Sequence, residues 1–184
     1  MRIIVDIDSV TADLLPVWLA RYNRDYKDDL MEHKLLSWSI HLYVKPECGM
    51  NIYVYLRDRN LYRDVKPVED ALYYVNKLRK DGHEIIFATS SPYQAMGEKF
   101  AWLNGNGFEV DEEHYVEGPK LSRSLIRGDL LLDDNLESCR KFDVATLAFR
   151  SVVFDKPWNQ GDHPYRVKSW ADFYKLVKEN DNES

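Results

Sequence analysis

Asp6 and Asp8 close the apolar run Ile3-Ile4-Val5, and Asp133-Asp134 closes a second, Leu130-Leu131-Leu132. If both runs are strands of one parallel sheet, four carboxylates meet at its edge. Charges collected in this way need a counter-charge. A hard divalent cation, Mg2+, supplies it through oxygen ligands and leaves room for a phosphate. Asp6 and Asp8 lie two apart, so a continuing strand turns them to one face. The first can attack phosphorus, forming an aspartyl-phosphate while touching the metal. The second can protonate the leaving oxygen and then deprotonate the attacking water. A D-x-D at a strand end also serves as a turn or a cap, and these two residues alone leave both readings open. At Asp133-Asp134, two adjacent carboxylates near a buried edge repel each other, which favours a cation over a solvated turn.

Two further positions fit a phosphate. Thr89 and Ser90 offer hydroxyl donors where the strand Glu84-Ile85-Ile86-Phe87-Ala88 gives way to Ser91-Pro92, a sequence suited to a helix start with free amides; an ordinary N-cap needs the same residues. Lys120, after Gly118-Pro119, can neutralise both a phosphate and the carboxylates, although a loop lysine is also at home in water.

The elements that would position these groups alternate. Ala12, Leu15, Trp18, Leu19, Tyr22 and Tyr26 recur at helical spacing behind the first strand. Residues 27–63 lose that pattern and are rich in aromatic and charged side chains, which predicts an insertion of short helices over the carboxyl edge of the sheet. Val65, Val68, Leu72, Val75 and Leu78 mark a second helix, stopped by Asp81-Gly82. Tyr93, Met96, Phe100 and Leu103 mark a third, ended by Asn104-Gly105-Asn106-Gly107. Short strands are expected near 114–116 and over 145–149, and a last helix near 170–178. Strands alternating with helices imply a mostly parallel sheet covered on both faces, with ligands at the carboxyl ends of its strands.

Composition bounds the function. The 184 residues are 45% hydrophobic, enough for one domain with a small insertion. A net charge of -6 argues against a broad surface for long nucleic acid. Two cysteines, an N-terminus that enters a strand at once and the lack of any long apolar run predict a reduced, cytoplasmic protein with no membrane contact.

D-x-D, Thr/Ser, Lys and D-D, in this order and each at the end of an expected strand, resemble the four motifs of the haloacid dehalogenase-like (HAD) phosphatases. Over most of its length the chain is similar to the 5'(3')-deoxyribonucleotidases of that superfamily. Val5-Asp6-Ile7-Asp8-Ser9-Val10-Thr11-Ala12-Asp13 resembles their D-M-D-G-V-x-A-D, and Ala88-Thr89-Ser90-Ser91-Pro92 their C-T-S-P. Glu98-Lys99-Phe100-Ala101-Trp102 resembles their E-K-Y-A-W, and Leu131-Leu132-Asp133-Asp134 their L-I-D-D. Arg166-Val167-Lys168-Ser169-Trp170-Ala171-Asp172 is similar as well. Ser9 stands where that family has glycine, and Asn135 where some of its members have a basic residue.

The resemblance implies an α/β HAD-like Rossmannoid three-layer sandwich. Its core would be residues 1–26 and 64–184, with a small helical cap at 27–63. It implies Asp6 as nucleophile, Asp8 as acid and base, and Thr89, Ser90, Lys120 and Lys99 around the phosphate. Mg2+ would be held by Asp6, the Asp8 carbonyl and the Asp133-Asp134 pair, with Asp134 the direct ligand of the two. Leu14, Trp38 and Tyr62 would face the base. The expected activity is Mg2+-dependent hydrolysis of (deoxy)nucleoside monophosphates, the partner being a small nucleotide, with homodimerisation left open. Phosphatase action on a sugar phosphate or a nucleic-acid terminal phosphate, and a catalytically silent binding protein on the same scaffold, are the alternatives.

Overall fold

Ile3-Ile4-Val5 and Leu130-Leu131-Leu132 are apolar without alternation, the composition of strands covered on both faces, and both are strands. A computed structural model describes residues 1–146 and 150–183. In chain order its regular elements are β1 (Arg2–Val5), β2 (Ala12–Asp13), α1 (Leu14–Tyr26), β3 (Lys66–Pro67), α2 (Ala71–Lys80), β4 (Glu84–Ser90), α3 (Glu98–Gly105), β5 (Tyr115–Gly118), β6 (Leu130–Asp133), α4 (Leu136–Thr146), β7 (Arg150–Phe154), β8 (Arg166–Val167) and α5 (Trp170–Glu183), joined by short 3-10 turns.

Six of the strands form one sheet in the order β5-β4-β1-β6-β7-β8, every pairing parallel. The chain builds outward from β1 on one side through β4 and β5, then crosses to the other side for β6. That reversal opens a crevice beyond the carboxyl ends of β1 and β6, where open α/β sheets bind ligands. In register, Val5 lies beside both Phe87 and Leu132, so Asp6 emerges level with Asp133.

The pleat sends Ile3 and Val5 to one face, where α1, α2, α3 and α5 contribute Trp18, Val75, Leu103 and Phe173 to the larger core. Ile4 faces the other way, onto a smaller cluster with Leu131, Cys139, Phe142 and Val153 beneath α4. Each such buried Leu, Ile or Phe contributes roughly 1.5–3 kcal/mol relative to an exposed one. With helices on both faces the fold is a three-layer α/β sandwich.

Several boundaries differ from the sequence expectation. Val65 and Val68 precede α2: the chain there pairs β3 with β2, an antiparallel ribbon that ties the chain before α1 to the chain before α2. Tyr93 and Met96 are not on α3. Pro92 starts a 3-10 turn, Gly97 breaks it at φ +86°, and the helix begins only at Glu98. Of the strand expected over 145–149, Ala145 and Thr146 end α4, 147–149 lie outside the described residues, and the strand itself is Arg150–Phe154.

Residues 27–63 contain 3-10 turns at Glu32–Lys34, Ile40–Leu42 and Gly49–Arg57, with a further one at Leu61–Asp64. Leu30, Leu35, Cys48 and Ile52 are buried and continuous with the larger core. Trp18 of α1 donates its indole N–H to the Ile52 carbonyl (2.9 Å), and the Lys45 ammonium caps the carbonyls of Tyr26 and Lys27 (2.9 and 2.8 Å).

Gly128, at the entry to β6, is fixed by packing. A Cβ there would lie 2.7 and 2.8 Å from side-chain carbons of the fully buried Ile4 and 3.3 Å from the Arg2 carbonyl oxygen. Gly128→Ala should therefore destabilise the fold by about 1–3 kcal/mol, read as a lower denaturation midpoint in urea. An unchanged midpoint would show that Ile4 can yield.

Candidate active site

The loop after β1 determines where Asp6 and Asp8 point. The Ile7 carbonyl accepts from the amides of Thr11 (2.9 Å) and Ala12 (2.7 Å), folding the chain back on itself. The Thr11 hydroxyl binds the Asp6 carbonyl (2.8 Å), and Trp170, from the start of α5, donates to the Val10 carbonyl (2.9 Å). Ser9 takes φ +63° in this turn, a region that glycine enters freely and other residues rarely.

Asp6, Asp133 and Asp134 are buried, and each offers a carboxylate oxygen within 4.8 Å of the others'. Asp6 is tied to β6 by its amide, which donates to the Leu132 carbonyl (2.9 Å). Asp133 accepts from the Asn135 amide (2.7 Å) on one oxygen, and its other oxygen, Oδ2, is buried without a hydrogen-bond donor. Trp158 donates to the Asp134 carboxylate (3.0 Å) while Asn159 holds the Asp134 carbonyl (2.7 Å).

Two buried cations meet these acids. Arg123 bonds the Asp6 carboxylate, approaches Asp133 Oδ2 to 3.4 Å and donates to the Ser90 hydroxyl at 3.1 Å. Lys99, from the first turn of α3, donates to Asp8 (2.7 Å), the Thr89 hydroxyl (2.8 Å) and the Ser90 carbonyl (2.8 Å). Two cations against four carboxylates leave two negative charges, the amount one divalent ion cancels. The donor-free Asp133 Oδ2 and the all-oxygen donor set fit such an ion.

The same imbalance acts on protonation. Burial pushes the Asp133 carboxyl up to about 7, with the nearby Asp6 charge adding to it. Burial, with Asp133 and Asp6 beside it, raises Asp134 well above the usual carboxylate range. Asp6 is raised by burial too, opposed by Arg123.

Asp6, Asp8, Asp133, Asp134, Ser90, Lys120 and Arg123 line one cavity of about 690 Å³, together with Leu14, Trp38 and other apolar residues. Lys120 is exposed at this cavity and is paired with none of the four carboxylates among the described residues; Arg123, three residues on, is the buried cation instead. Nothing in the local pattern separates the two basic residues except a short turn, Arg123–Leu125, that aims the second one inward. Thr89 and Ser90 end β4, and the chain continues into a short 3-10 turn, Tyr93–Ala95, with α3 starting only at Glu98; the groups bonded to them are the side-chain cations Lys99 and Arg123. Leu14 is buried in the cavity wall, and Trp38 is 55% exposed at it. Tyr62 lies instead beside a smaller pocket shared with Asp8 and Lys99, and its hydroxyl donates to the Asp8 carboxylate. Trp158 has no motif around it to mark it as a partner of Asp134.

The chain matches, over residues 1–181, the family model described as "5' nucleotidase, deoxy (Pyrimidine), cytosolic type C protein". It is 26% identical over 178 residues to the 5'(3')-deoxyribonucleotidase of Clostridium acetobutylicum, spanning 95% of this chain and 93% of that one. Its fold resembles that of the magnesium-bound protein YfnB of Bacillus subtilis (TM-score 0.62, 11% identity, 96% and 97% of the two chains). A HAD family hydrolase of Deinococcus radiodurans, solved with phosphate and sodium, is similar to the same degree (TM-score 0.59, 14% identity, 97% and 95%).

The raised carboxyl groups give a test of the ion site. Because the folded Asp133 value lies above its ordinary 3.8, the metal-free protein loses that group's contribution as pH climbs from there towards about 7. A divalent ion favours the ionised forms, so its stabilisation should grow over the same range. Adding Mg2+ should raise the thermal midpoint more at about pH 7.5 than at about pH 5. Equal shifts at both would mean that the ion binds elsewhere.

Proposed function

The chain belongs to the type C family of deoxy 5' nucleotidases, and from that premise we propose that it hydrolyses (deoxy)nucleoside monophosphates to nucleoside and phosphate, with Mg2+ as cofactor and an aspartyl-phosphate on Asp6. It is a phosphoric monoester hydrolase on a HAD-like fold. One observation carries the reading. A single cavity is lined both by Asp6, Asp8, Asp133 and Asp134 and by apolar side chains that include Leu14 and Trp38. Such a shape suits a small molecule charged at one end and flat and apolar at the other.

In this reading the Asp6 carboxylate attacks phosphorus as the ester oxygen leaves with a proton from Asp8. Asp8 then takes a proton from water, which attacks the same phosphorus, releases inorganic phosphate and restores Asp6. Ser90, Lys120 and Lys99 hold the phosphate, and Thr89 acts by steadying Lys99. Arg123 favours the ionised form of Asp6 against the effect of burial and adds a further cation to the phosphate side. Held by Asp6, Asp134 and the Asp8 carbonyl, with Asp133 beside them, Mg2+ would offset the repulsion between phosphate and carboxylates. Residues 27–63 act as a cap over the nucleoside, with Trp38 against the base. A cytoplasmic setting agrees with the two free, buried cysteines, Cys48 and Cys139.

Asp6→Asn should reduce phosphate release from deoxynucleoside monophosphates to background while leaving the thermal midpoint near that of the parent. Near-normal turnover in that variant would exclude the covalent route. Stacking on an indole contributes roughly 1–3 kcal/mol per base in single-stranded nucleic acids. Trp38→Ala should accordingly raise KM for a nucleoside monophosphate by about tenfold. Its effect on p-nitrophenyl phosphate, which has no base, should be much smaller, and equal losses on both would make Trp38 a packing residue.

A further inference from the structure

Asp8 is held by two donors from opposite sides. Lys99 reaches Oδ2 at 2.7 Å, and the Tyr62 hydroxyl donates to Oδ1. Tyr62 is itself immobilised. It is 8% exposed, its ring meets Trp102 edge-on at 5.9 Å, and the Trp102 indole is bonded to the Val65 carbonyl at 2.9 Å. The Lys99 ammonium also lies 5.8 Å from the Tyr62 ring centre, so the three groups form one cluster. Tyr62 sits in the turn Leu61–Asp64, where the segment inserted after α1 returns to the core.

The two donors are not equivalent. The Lys99 ammonium is shared among Asp8, the Thr89 hydroxyl and the Ser90 carbonyl, and in the proposed reading a bound phosphate would take the place of Asp8 on it. The Tyr62 hydroxyl is fixed by a buried ring and has no such alternative. We infer that Tyr62 is a positioning residue for Asp8: it occupies Oδ1 with a donated hydrogen bond, so the transferable proton is carried on Oδ2 and faces the ester oxygen. This rests on the reading of Asp8 as the general acid. In the step concerned, the bond from Asp6 to phosphorus forms and the bond from phosphorus to the ester oxygen breaks. The proton on Asp8 Oδ2 passes to that oxygen, leaving Asp8 as a carboxylate.

A residue that orients the acid matters most when the leaving group is a poor one. The value of kcat/KM covers the steps up to departure of that group, so the later attack of water does not enter it. The test measures kcat/KM over a series of substituted phenyl phosphates, from p-nitrophenyl to unsubstituted phenyl, for the wild-type protein, Tyr62→Phe, Asp8→Asn and the double variant. None of these esters has a base to stack. Tyr62→Phe should lose about tenfold more on phenyl phosphate than on p-nitrophenyl phosphate, steepening the dependence on the leaving group in the sense that Asp8→Asn does. In the Asp8→Asn background the same change should add nothing.

A parallel fall across the series would make Tyr62 a structural residue and overturn the inference, as would no fall at all. An effect confined to KM for nucleoside monophosphates would move Tyr62 to the base pocket and would equally overturn it. If Asp8→Asn itself leaves the slope unchanged, the acid is another group and both readings fall. Failure of the wild-type protein to hydrolyse nucleotides would reject the proposed substrate class while leaving the slope comparison intact.

Discussion

Keeping four aspartates together at one sheet edge is the constraint on which this protein is built. A parallel sheet with its order reversed at β1 brings the ends of β1 and β6 side by side, and each of those ends carries two acids. Taking such charges out of water costs several kcal/mol per ion unless each is compensated. Arg123 and Lys99 supply part of the compensation from elements on either side of the sheet's ligand edge, and hydrogen bonds to carboxylate oxygens from the Asn135 amide and the Trp158 indole supply more. What remains falls on the protons, which is why the Asp133 and Asp134 carboxyls are raised. The residual charge is thus a stored affinity for a small cation, set by geometry rather than by any one residue.

The inserted segment depends on the same edge. It shares its buried residues with the main core through Leu35, Cys48 and Ile52, and the β2–β3 ribbon ties the chain before α1 to the chain just after the segment. Ion pairs from Arg21 to Asp58 and from Arg59 to Glu98 tie it further to α1 and α3. These pairs are at the surface, where each contributes little on its own. The buried contacts matter more, and through Tyr62 they run directly to Asp8. A segment that lines the cavity through Leu35, Trp38 and Tyr53 is therefore also in contact with the group proposed to move protons.

Much of this was legible in the chain. Ile3-Ile4-Val5 and Leu130-Leu131-Leu132 could be read as buried parallel strands because unbroken apolar runs bounded by acids have few other uses. Asp81-Gly82 stopped α2 where expected. Other boundaries were misplaced by local signals that tertiary structure overrode. Val65 and Val68 continue the spacing of α2, but the chain there is held extended by β2, and Gly97 interrupts a helix that Pro92 would otherwise begin. In the site, Lys120 and Arg123 are two cations three residues apart, and only the turn that begins at Arg123 distinguishes the buried one.

Sequence by itself determined which reactive groups the protein offers, because carboxylates at strand ends, hydroxyls at the end of β4 and nearby cations are fixed by residue type and by the periods of strand and helix. Tertiary structure alone decided which of these groups touch. That Arg123 meets Asp6, that Trp158 meets Asp134 and that Tyr62 turns its hydroxyl to Asp8 are contacts between residues 117, 24 and 54 positions apart. Contacts over such separations follow from the order in which strands assemble and from the space left between packed helices. Neither leaves a mark on the residues nearby in the chain.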